Sequence, residues 1–130
     1  GVSSAASDVY KRQLASSAPY SPFYRADDLP EAGRPSSISY RIVGIDHPNR
    51  TLLMLHETYA AGADTGEAIS HAAQEAGVVV EGCVEVTVGA EARVLETGDA
   101  YYFDSQIPHR FRNLSGQPAR IVSAITPPTY

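Results

Sequence analysis

From Ile38 to Tyr130 short runs of β-branched, aromatic and other apolar residues alternate with clusters of Gly, Pro, Asn and Asp. This texture predicts strands at Ile38–Val43, Thr51–Tyr59, Gly77–Glu81, Cys83–Val88, Ala92–Glu96, Ala100–Phe103, His109–Asn113 and Arg120–Ile125. The stretches 46–50, 61–66, 89–91, 97–99 and 114–118 carry the residues that favour turns. So many strands joined by short links predict an all-β fold, a double-stranded β-helix rolled into a jelly-roll barrel, with no long helix. Side chains alternate between the two faces of a strand, so Tyr101 and Phe103 share one face, and at most one of His56 and Glu57 points inward.

Residues 1–37 read differently. Gly1–Ala18 is rich in Ser and Ala and has no sustained apolar period, which predicts little order, and Val2–Gln13 reads as a non-native leader that is excluded from the fold. Pro19–Ser37, with Pro19, Pro22, Pro30 and Pro35 and the acidic pair Asp27–Asp28, predicts an extended arm. Its Tyr20, Phe23 and Tyr24 are expected to pack on the domain or on a second subunit. The domain organisation is therefore an arm over residues 1–37 and a β domain over 38–130.

Composition narrows the function. A chain of 130 residues can bury a core as one soluble domain without metal or disulfide staples. It has no apolar run near the roughly 20 residues that cross a bilayer, which predicts no membrane partner. The one cysteine, Cys83, lies beside Gly82 between two apolar runs and reads as a buried thiol, with a reducing, cytoplasmic compartment as the default. A net charge of -5 and scattered arginines exclude nucleic-acid binding by this chain itself, because phosphate contacts need a clustered basic surface.

Two motifs carry the chemistry. His71-Ala-Ala-Gln-Glu75 is followed by Gly82, and Gly98-Asp-Ala-Tyr-Tyr-Phe-Asp-Ser-Gln-Ile-Pro-His109 runs on to Asn113. Together they resemble the two signature stretches of the cupin superfamily, G-x5-H-x-H-x3-E-x6-G and G-x5-P-x-G-x2-H-x3-N. The resemblance implies a metal site of His71, Glu75 and His109 inside a small β-barrel. The chain departs from the pattern at Ile69, which stands where the family has a further histidine and has no lone pair to donate, and at Asp104 and Gln106, which replace its proline and glycine. The run from Pro108 to Val122 and the later Thr126-Pro-Pro-Thr are similar to the effector-sensing cupin domain of bacterial helix-turn-helix regulators of the XRE type.

Two imidazoles and a carboxylate suit Zn, Fe, Mn, Ni or Cu, and three protein ligands leave coordination positions open. The same side chains could instead hydrogen-bond one another or an organic ligand in an apolar pocket. Tyr101, Phe103, Phe111, Arg41 and Ile69 are the expected ligand-binding residues of that pocket, although the aromatic rings could equally be plain core and the arginine a solvated surface group. Asn113 is expected to fix a strand end rather than touch a ligand. The reading favoured is a binding module, the small-molecule sensor of a regulator, acting as a homodimer whose arm covers a sheet edge. The alternative is a small metal-dependent enzyme, a dioxygenase, isomerase or decarboxylase on an organic acid.

Overall fold

The computed structural model describes residues 21–130. Gly1–Ala18, with its proposed leader Val2–Gln13, and Pro19 and Tyr20 of the arm lie outside the described residues. A single 3₁₀ turn at Ala26–Asp28 precedes eight strands among the described residues. They are β1 (Ile38–Val43), β2 (Leu53–Tyr59), β3 (Gln74–Glu81), β4 (Cys83–Val88), β5 (Glu91–Glu96), β6 (Ala100–Asp104), β7 (His109–Arg112) and β8 (Ala119–Thr126).

The strands form two antiparallel sheets, one of five in the order β1-β2-β8-β3-β6 and one of three in the order β5-β4-β7. The expected barrel is therefore corrected: the fold is all-β, but neither sheet closes on itself or joins the other through a strand ladder. The reason lies at the edges. The outer edge of β1 is taken by the arm, where Ala32 N–H donates to Tyr40 O at 2.8 Å, Ile42 N–H to Pro30 O at 2.9 Å and Arg34 N–H to Ile38 O at 2.7 Å. The outer edge of β7 is taken by the loop after β2, through bridges from Asp64 to Arg112 and from Ile69 to His109. Irregular chain thus satisfies the backbone groups that strand pairing would need to close a barrel.

Alternation places the core. Leu53, Leu55 and Tyr59 of β2, Val79 of β3, Val84 and Val86 of β4, Phe103 of β6, Phe111 of β7 and Ile121 of β8 are buried between the sheets. At about 25 cal/mol per Å² of apolar surface removed from water, this layer is the dominant stabilising contribution. Two glycines are fixed by packing. Gly82 turns β3 into β4 with φ of 71°, and a Cβ there would lie 2.7 Å from Pro118 O. Gly77 sits under the Tyr101 ring, where a Cβ would lie 2.4 Å from the hydroxyl oxygen. Cys83 is half-buried rather than enclosed.

Candidate metal centre and ligand cavity

Three segments bring the candidate ligands together. Glu75 is the second residue of β3 and faces inward; His109 opens β7; His71 lies in the loop between β2 and β3. That loop is pinned at its end by His71 N–H donating to Ser105 O at 2.9 Å and Ser105 N–H to Ala73 O at 2.8 Å. Farther back it is held to β7 by Arg110, whose Nε donates to Asp64 Oδ1 at 2.9 Å. This guanidinium holds the Asp64 carboxyl down to about 2, with the Gly66 N–H helping and partial desolvation opposing.

One ligand atom from each of His71, Glu75 and His109 lies within 4.8 Å of the others. Glu75 Oε2 faces His71 Nε2 at 3.1 Å and His109 Nε2 at 3.4 Å, and it accepts the Ser105 hydroxyl at 2.8 Å. His109 Nδ1 is 2.8 Å from Ile107 O. A carbonyl can only accept, so Nδ1 carries a hydrogen and a neutral ring turns its Nε2 lone pair toward the carboxylate. Two acceptors then face each other at the buried end of the cluster. A cation between them, either a metal ion or a second ring proton, removes that repulsion. Two imidazole nitrogens and a carboxylate oxygen, with Ser105 and Ile107 fixing their orientation, are a donor set that can hold a divalent transition metal.

The cluster opens into a cavity of about 670 Å³ between the sheets. On the same sheet as Glu75, the cavity also reaches the buried Glu57 of β2. Glu57 Oε1 accepts the Tyr59 hydroxyl at 2.8 Å, and Oε2 accepts the Ser123 hydroxyl. Burial pushes this carboxyl up to about 7; the bonds from Ser123 and Tyr59 oppose the rise and the charge of Glu75 adds to it. Burial, followed by Glu57, also raises the Tyr130 phenol to about 12. The lining also takes in Pro30, Glu31 and Ala32 of the arm and Thr129 and Tyr130 after β8. Glu31 fastens the arm by accepting Ser39 Oγ at 2.6 Å, Tyr40 N–H at 2.7 Å and Gly33 N–H at 3.0 Å.

The structure distributes the expected ligand-binding residues unevenly. Phe111 and Ile69 line the cavity, and Ile69, 55% exposed, stands at its mouth with its backbone paired to His109. Phe103 and Tyr101 sit behind the lining: the Phe103 ring packs 4.9 Å from the His109 ring and Tyr101 packs 5.3 Å from Phe111. Arg41 lies outside the cavity, its Nε and Nη2 donating to Leu29 O at 3.2 and 3.1 Å. Asn113 is wholly buried, and its Nδ2 donates to the carbonyls of Tyr59, Ala60 and Gln117, so it ties strand ends together. Glu57 was the residue that sequence reasoning passed over, although Leu53, Leu55 and Tyr59 at the same parity place it on the inner face. His56, at the opposite parity, faces out, with its Nε2 3.0 Å from Arg120 Nη2, and its pKa is lowered by partial burial and then by Arg120 and Arg41.

Comparison with known proteins places these features in context. The profile of the cupin domain matches residues 55–125. The HTH-type transcriptional regulator PuuR of Escherichia coli K12 is 42% identical over 104 residues, which are 80% of this chain and 56% of that regulator. The chain thus spans little more than half the length of this relative. Among solved structures, the cupin domain of an XRE family transcriptional regulator from Enterobacter cloacae superposes with a TM-score of 0.62 at 25% identity, covering 71% of this chain and 98% of that one. An RmlC-like cupin from Shewanella frigidimarina superposes with a TM-score of 0.71 at 18% identity, covering 85% and 94%, and shows the fold alone. Among the described residues no helix is long and apolar enough to cross a membrane.

Proposed function

Because the chain belongs to the cupin domain family, we propose that it is the small-molecule-sensing part of a bacterial transcriptional regulator. In this reading His71, Glu75 and His109 hold a divalent transition metal, and the adjoining cavity, lined by Phe111 and Ile69, takes a small effector. The observation that carries it is the joining of the cluster and the enclosed Glu57 by one cavity of about 670 Å³, a volume within the range of small-molecule sites. The polar lining consists of Glu31, Glu57, Glu75, phenols, Thr65, Thr129 and two imidazoles, with no Lys or Arg. An effector therefore presents hydrogen-bond donors or positive charge to the Glu57 end.

The rest of the assignment follows from the same reading. Residues 38–130 act as the sensor domain and residues 1–37 as its arm, in a cytoplasmic homodimer. DNA contact is assigned to a part of the regulator other than this chain, since a net charge of -5 gives phosphate no basic surface. One observation favours a second reading, a small metal-dependent enzyme: a carboxyl titrating near neutrality in the same cavity as an open metal site. A substrate with a carboxylate would, however, find no Lys or Arg in the lining to pair with.

Metal analysis of the purified protein by plasma mass spectrometry, beside His71→Ala and His109→Ala, tests the site. Near-stoichiometric metal in the parent and its loss in both variants is the expected result. Metal retained in both variants, or absent after reconstitution with each of Zn, Fe, Mn, Ni and Cu, would overturn the metal assignment. Turnover of an organic acid by the metal-loaded protein would move the function to the second reading.

A further inference from the structure

The outward faces of the two sheets differ in chemistry. On the three-stranded sheet the outer residues of β4 and β7 are charged or polar, with Arg112 donating to Glu85 and Arg110 to Asp64. The five-stranded sheet carries apolar residues on its outer face as well as its inner one. One register row reads Val43, Met54, Ala124, Ala76 and Tyr102 across β1, β2, β8, β3 and β6. The next contains Val122, Val78 and Ala100, bounded by His56 and Arg41. Met54, Val78 and Tyr102 are 38%, 42% and 68% exposed. An antiparallel sheet with one solvated face ordinarily alternates apolar and polar residues, and over β8, β3 and β6 this sheet departs from that pattern.

We propose that this outer face, rather than a sheet edge or the arm, is where a second copy of the chain docks. The argument for self-association is the placement of charge and bulk about the seam between β8 and β3. A two-fold axis along that seam sets Ala124 over the partner's Ala76, Val122 over the partner's Val78 and Met54 over the partner's Tyr102. It also sets Arg120 opposite the partner's Glu81, since these two residues occupy one register row on either side of the seam. Each contact occurs twice, as an isologous interface requires, and the small residues form a trough between the Met54 and Tyr102 ridges. Arg120 is open to such a contact, because its Nη2 lies 3.0 Å from His56 Nε2 and none of the ion pairs among the described residues joins it to Glu81. The arm already covers the β1 edge of its own chain, and the loop after β2 covers that of β7.

Five strands at about 4.8 Å and three rows at about 6.7 Å give a face of roughly 20 by 20 Å, about 400 Å² per copy against about 800 Å² for a standard interface, as suits a weak dimer. The dimer is therefore expected at tens of micromolar. Sedimentation velocity on the full chain tests this, with Val78→Lys and Tyr102→Glu on the proposed face and Val94→Lys on the outer face of the other sheet. The expected result is a dimer for the parent and for Val94→Lys, and a dissociation constant raised on the order of a hundredfold in each of the other two, because an unpaired charge is buried twice. Circular dichroism of all four proteins checks that the monomer fold persists; both test residues are exposed, so either variant suffices if the other misfolds. A monomeric parent, or a dimer indifferent to Val78→Lys and Tyr102→Glu, would overturn the proposal. Neither outcome touches the metal assignment, which the metal analysis tests separately.

Discussion

Glu57→Gln isolates the most unusual group in the cavity. The carboxyl, ordinarily near 4.5, is pushed up to about 7 by burial, so the folded chain keeps a proton there that the unfolded chain releases. Stability from this group is fully present below pH 4.5 and is lost as pH rises through 7, where the charge must form without water. At about 1.4 kcal/mol per pH unit, the loss is roughly 3 kcal/mol, complete by about pH 8. Glutamine keeps an acceptor for Tyr59 and can donate to the Ser123 oxygen, but it does not titrate. The variant is therefore expected to match the parent near pH 5 and to exceed it by roughly 3 kcal/mol at pH 8. Urea unfolding of both proteins from pH 5 to 8.5 measures this, and taking the difference removes other titrating groups, including His56, whose lowered pKa gives a slope of opposite sign. Parallel stability curves across that range would refute the burial argument.

Two further substitutions probe the frame around the site. Asn113→Ala strands the Tyr59, Ala60 and Gln117 carbonyls and frees Ser115, whose N–H and hydroxyl both donate to Asn113 Oδ1. It should cost about 2–4 kcal/mol in denaturant unfolding while leaving metal stoichiometry unchanged. Gly77→Ala forces a Cβ into the Tyr101 ring and should cost about 1–3 kcal/mol, less in a Tyr101→Ala background. Equal losses in both backgrounds, measured by thermal denaturation, would show that the contact is not what fixes the glycine.

The strands were legible because each carries its own alternation. β1 and β4 fall on their predicted bounds, and β2 begins at Leu53 rather than Thr51. β3 starts earlier than expected, at Gln74, since the sequence around Glu75 reads as motif and turn, whereas its backbone pairs with β6 and β8. Closure was not legible, because it depends on what occupies the far edges of β1 and β7, and local patterning holds no record of that. The trio of His71, Glu75 and His109 could be named from the resemblance, which spacing alone would not have supplied. Its electrostatic character could not, because the lone pair of His109 is set by a carbonyl two residues away, at Ile107. Arg41 shows the limit in reverse: Tyr40 and Ile42, its neighbours on β1, take the cavity side, and the arm supplies a carbonyl for the guanidinium outside.

The cavity wall comes from two kinds of chain. Glu57, His71, Glu75 and His109 fall within the stretch matched by the cupin profile, whereas Pro30 to Ala32, Tyr40, Ile42, Thr129 and Tyr130 lie beyond its ends. The three candidate ligands are thus carried on the shared stretch, and part of the cavity wall is carried on sequence outside it. Exchanging the flanks between relatives would retune which molecule fits while leaving the ion in place, and trimming the chain to the shared core would leave a metal protein with one wall of its cavity missing.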